Sequence, residues 1–153
     1  MNRIKILLII IFGLFLLTGC DNNTAIAAED FVDYMEQNEY QTTNVKSQFS
    51  NYPQIKNVFI AQNNDMTYQI EYYEFTNDDY AKRFFSANRN IFKETEEKIK
   101  ARSQDDKDNY QKYTQTTDKA YSLIVRLDNT AIYANVKPEY EEEVDNIIFY
   151  LGY

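Results

Sequence analysis

Histidine and tryptophan are absent from the 153 residues, cysteine occurs once, proline twice and glycine three times. Without histidine no imidazole can act as a general base, and the usual zinc sites of cysteine and histidine cannot be built. The lone cysteine, Cys20, excludes an internal disulfide. Gly13, Gly19 and Gly152 are the whole supply of glycine. No glycine-rich loop can therefore cradle a nucleotide, and no cofactor is expected.

Positive charge is also short. Sixteen basic residues face 24 acidic ones, a formal net charge of −8. Without Arg3 and Lys5, which sit in an N-terminal segment of separate character, 14 face 24 and the net is −10. Such a chain is repelled by nucleic acid and by anionic head groups alike, so neither is expected to hold it by charge.

What is present begins with that segment. Arg3 and Lys5 precede an apolar run from Ile6 to Leu17, broken only by Gly13. Twelve residues fall short of the ~20 that cross the hydrocarbon of a bilayer, so the run reads as an export signal and not as a permanent span. Leu17-Thr18-Gly19-Cys20 resembles the lipobox of bacterial prolipoproteins. The resemblance implies that residues 1–19 are removed and that Cys20 carries a diacylglyceryl thioether, with palmitate-type chains. Two such chains, at ~0.8 kcal/mol per buried methylene, hold a protein durably on the extracytoplasmic face of the cell membrane. Abundant Lys, Asn, Ile and Tyr resemble a low-GC Gram-positive composition. The body is similar to small Gram-positive lipoproteins that end in a strand, an acidic helix and a Leu-Gly-Tyr tail, a likeness that carries no activity with it.

Residues 20–27 read as a lipidated N-terminus and short tether, and 28–153 as one domain of ordinary size. Ala28, Phe31, Val32 and Met35 have helical spacing and predict a helix to about Asn38. Residues 41–54 are ambiguous between helix and loop. Val58-Phe59-Ile60 and Thr67 to Tyr72, joined by Asn63-Asn64-Asp65, predict a hairpin. Thr76-Asn77-Asp78-Asp79 looks like a capping box opening a helix with Ala81, Phe84, Phe85, Asn88, Ile91, Phe92, Thr95 and Ile99 on one face. Lys100 to Asn109 lacks apolar periodicity and reads as a solvated loop. Strands follow over 110–116, 121–127 and 130–136, then a helix from Pro138 that is closed by Gly152. The expectation is an α+β domain in the order α-β-β-α-β-β-β-α, with an antiparallel sheet of about five strands and helices packed on one face.

The acidic runs carry little chemistry of their own. Glu141-Glu142-Glu143 fan out around a helix and complement its positive end, so they are not expected to converge on a metal. Asp105-Asp106-Lys107-Asp108 lacks the glycine and distal glutamate of a calcium loop. Fourteen tyrosines are a heavy load, accounted for first by sheet packing and second by a binding platform. Because Tyr73 and Phe75 alternate with Tyr72 along one strand, aromatic groups point to both sides of the sheet. Tyr73 and Phe75 are thus the expected binding face, opposite the helices. The reading is a membrane-attached, non-enzymatic domain that binds an envelope protein or modulates a complex. Its alternative is a glycan- or peptidoglycan-binding domain, or a hydrolase that works through two carboxylates.

Overall fold

The computed structural model describes residues 24–153, so Cys20 and the export segment lie outside the described residues. Helix α1 spans Ala28–Gln37 and leads through an exposed edge strand β1, Gln41–Asn44, and a 3-10 turn, Lys46–Phe49, into β2 (Ile55–Gln62) and β3 (Gln69–Phe75). Helix α2 (Asp78–Lys93) is followed by β4 (Ile99–Asp106), β5 (Tyr110–Thr117), β6 (Tyr121–Leu127), β7 (Thr130–Val136), a 3-10 turn, Pro138–Tyr140, and α3 (Glu141–Tyr150). Among the described residues the fold is α+β: one seven-stranded antiparallel sheet ordered β1-β2-β3-β7-β6-β5-β4, with three α-helices.

Two strands exceed the expected count, and each was hidden for the same reason. β1, Gln41-Thr42-Thr43-Asn44, and β4, Ile99 to Asp106, are the two edges of the sheet. An edge strand covered on neither side has no apolar alternation to display, and every residue of β4 is exposed. The stretch read as a solvated loop is thus solvated, but its backbone pairs with β5 from Ile99↔Thr117 to Asp106↔Gln111.

The helices are not on one face. Phe31 and Met35 of α1 and Val144, Ile147 and Ile148 of α3 pack with Ile70, Tyr72, Leu123 and Ile132 on one side of the sheet. Ala81, Phe85 and Phe92 of α2 pack with Val58, Tyr73, Phe75, Ile124 and Ala131 on the other. All seven residues of β6 are buried, as a strand between two helix layers must be. A hairpin followed by a helix occurs twice, over β2-β3-α2 and β6-β7-α3. The two helices nevertheless land on opposite faces.

Local chemistry sets the helix ends. The Asn77 side chain, not Thr76, caps α2 by accepting from the Tyr80 amide at 3.2 Å. At the other end of the chain Gly152 takes φ +83°, the left-handed turn in which glycine is free of the Cβ clash. It directs Tyr153 back so that its amide donates to the Ile148 carbonyl and its hydroxyl meets the Thr130 hydroxyl.

Candidate functional site

Helix α2 turns two different flanks outward, and the flank toward β1 and β2 builds an aromatic recess. Tyr80, Arg83 and Phe84 recur at the i, i+3, i+4 spacing that places side chains on one side of a helix. Across from them the chain from the 3-10 turn to β2 supplies Phe49, Tyr52, Gln54 and Ile55. That chain is held in a tight series of turns: the Tyr52 amide donates to the Phe49 carbonyl at 3.0 Å and the Ile55 amide to the Tyr52 carbonyl at 3.1 Å. The Thr76 amide then ties it to β3 through the Gln54 carbonyl at 2.8 Å.

Phe75 forms the floor of this recess of about 480 Å³. The Phe84 ring lies 4.4 Å from that of Tyr73 and 5.4 Å from that of Phe75, and Phe49 meets Tyr73 edge-on at 6.1 Å. Offset and edge contacts of this kind favour fixed ring positions. Tyr52 and Tyr80 remain open to solvent, at 53% and 36% exposure. The Arg83 guanidinium rests 5.8 Å from the Tyr80 ring, and among the described residues it has no carboxylate partner.

The two residues expected to form an open binding face are placed differently. Tyr73 and Phe75 are buried, at 7% and 3% exposure, because α2 covers the side of the sheet that was taken to be bare. Tyr73 donates its phenol to Glu71 at 2.5 Å, and burial, with that carboxylate's help, pushes the phenol well above its usual range. Of the two, Phe75 lines the recess and Tyr73 packs against Phe84. The most exposed ring of the site, Tyr52, lay in the stretch whose structure was ambiguous.

A second recess lies on the opposite side of the sheet, lined by Tyr34, Tyr40 and Tyr150 together with Glu139, Glu142 and Glu143. The Tyr40 hydroxyl donates to Glu143 at 2.7 Å and is hydrogen-bonded to the Tyr68 hydroxyl. Burial foremost raises both phenols beyond their normal range. Glu141 turns away to accept from Thr116 at 3.0 Å. Among the described residues no three of His, Cys, Asp and Glu are grouped so as to hold a metal ion. No helix among them is long and apolar enough to cross a membrane.

No protein-family model matches the chain, and neither a curated protein nor a solved structure matches it.

Proposed function

We propose that the chain is a lipid-anchored protein of the outer face of the cell membrane whose domain works by binding, without turnover, and takes an apolar side chain of an envelope protein partner into the aromatic recess. Attachment rests on the lipobox resemblance at Leu17 to Cys20. Binding rests on the recess: its walls are rings and Ile55, its polar groups are Gln54 and Arg83, and no acid lines it. A guanidinium without a carboxylate beside an apolar hole suits a partner segment that carries a carboxylate next to its apolar anchor.

Two experiments test this. Crosslinking in the native membrane should capture a partner that Arg83→Glu and Tyr52→Ala each fail to capture, while both variants keep the thermal midpoint of the parent. Capture of the same protein at equal yield by both variants overturns the recess as the binding site. For the anchor, Cys20→Ser should abolish incorporation of radiolabelled fatty acid and release the domain from the membrane fraction, and equal labelling of both proteins overturns it.

The carboxylate-hydrolase alternative belongs at the acidic recess, where carboxylates and phenols share one cavity. One oxygen of Glu143 already accepts a hydrogen bond from the Tyr40 hydroxyl, and Glu139, Glu142 and Glu143 are all exposed. Purified protein should therefore release no fragments from peptidoglycan. Turnover that Glu143→Gln abolishes would put the enzyme reading in place of the binding one.

A further inference from the structure

The flank of α2 turned toward β5 and β4 differs from the recess side. Most lysines among the described residues form ion pairs with carboxylates, but none of the four arginines, Arg83, Arg89, Arg102 and Arg126, does so. Arginine is ordinarily the better partner for a carboxylate, and acids outnumber bases 24 to 16. The unpaired arginines are therefore not explained by a shortage of acids.

Two of them, Arg89 and Arg102, flank one groove, close enough that both charges act on Tyr113. Arg89 and Lys93, four residues apart on α2, lie on the same side of that helix. Arg102 stands opposite on β4. Tyr113 of β5 is the floor: the Lys93 ammonium is 5.4 Å and the Arg102 guanidinium 6.0 Å from its ring centre. Arg102 is fixed from below by Gln115, whose side-chain oxygen accepts from Arg102 Nη2 at 3.0 Å, from Arg102 Nε at 3.3 Å and from the Tyr113 hydroxyl at 2.7 Å. Gln115 is itself 2% exposed and anchored through its amide to the Phe92 carbonyl at 2.8 Å. This network orients the guanidinium and leaves its charge uncancelled, since the acceptor is neutral. Arg89 Nε is buried with no hydrogen-bond partner, a state that costs free energy unless something else supplies an acceptor. Asp106, at the end of the groove, accepts from the side-chain amides of Gln104 and Gln111, and those bonds foremost, with the charges of Arg89 and Lys93, hold its carboxyl below its ordinary range.

We infer that Lys93 and Arg102 over Tyr113, together with Arg89, whose guanidinium lies 5.6 Å from the Phe85 ring, form a binding site for a phosphate group. Three like charges on neighbouring side chains repel each other, and an anion entering between them relieves that repulsion. Phosphate fits better than a carboxylate because it presents more oxygens and up to two negative charges to three cations. The phosphate could be that of a lipid head group at the anchoring surface or of a soluble ester, and both share this chemistry.

Titration calorimetry of the full-length protein in a neutral detergent decides it, with inorganic phosphate, glycerol 3-phosphate and phosphatidylglycerol micelles as probes and acetate at equal ionic strength as control. Saturable binding of inorganic phosphate, weakened at least tenfold by Arg102→Gln and by Arg89→Gln/Lys93→Gln with unchanged thermal midpoints, is the expected result. Added response to glycerol 3-phosphate assigns a soluble ester, whereas added response to phosphatidylglycerol alone assigns a lipid. Arg102→Lys, which keeps the charge but loses the fork, should retain part of the affinity. The site is overturned if acetate binds as well as phosphate, if phosphate binding is not saturable, or if it survives both sets of substitutions.

Discussion

Arg126 is the largest side chain that the fold buries completely, and it is surrounded by neutral oxygens: Gln111 Oε1 at 2.9 Å and the carbonyls of Asp108 and Asp128 at 3.1 and 3.2 Å. Burial pulls its pKa down, against the pull of Asp78, Asp128 and Asp106. The three bonds hold the turns before β5 and before β7 together, so Arg126→Met leaves three acceptors without their donor. A loss of about 1–3 kcal/mol in urea denaturation of residues 21–153 is expected. A smaller effect belongs to Glu74. Burial alone would raise its carboxyl, but hydrogen bonds from Lys56 at 2.6 Å and Asn57 at 2.7 Å outweigh that and hold it below its ordinary 4.5. A depressed carboxyl stabilises the fold above the unfolded value and loses that contribution as pH falls through the folded one. Glu74→Gln should thus be less stable than the parent at pH 7, by under about 1 kcal/mol because Lys56 is half exposed. The difference should vanish in denaturation curves taken well below pH 4.5.

Among the elements, α2 separates the consequences of burial most clearly. Phe85 is completely buried between helix and sheet, while its neighbour Phe84 is partly open at the recess. Phe85→Ala should cost about 3–5 kcal/mol, and Phe84→Ala roughly half as much, both read from urea midpoints. The helical spacing of Ala81, Phe84, Phe85 and Phe92 was legible in the sequence, and so were α1, β5 to β7 and the glycine-capped α3. Ile91 and Ile99 extended the same apolar spacing, yet both are exposed, and Ile99 belongs to β4. Helical spacing says which residues could share a face, but not where the helix stops. β1 and β4 were illegible because edge strands are specified by the backbone of a neighbour. Tyr121-Ser122-Leu123-Ile124-Val125 did carry a signal for helices on both faces: apolar residues run through consecutive positions where a one-sided sheet would alternate.

At the scale of the whole molecule, the candidate site was only half legible. Phe75 and Tyr73 could be singled out from their strand, but Arg83 comes from α2 and Tyr52 and Phe49 from the chain before β2, and they meet only because α2 crosses the sheet. No local pattern encodes such a meeting. The phosphate groove is a still more distant assembly, since β4 delivers Arg102 to a helix flank from across the sheet. The crossover has one more consequence, in time instead of space. β7 fits between β3 and β6, so Ile70 to Glu74 bond to residues 130–134, about sixty positions later in the chain. During synthesis, N-terminus first, β3 has a bare edge until the last strand, β7, arrives. Native contacts so far apart in sequence make folding slow, in the range of milliseconds to seconds and not microseconds. During that wait Tyr72 and Tyr73 lie open to other chains. A stopped-flow refolding trace should show this slow phase, and aggregation yield should rise with protein concentration during it. The centre of the finished sheet is therefore the part most in need of a folding helper.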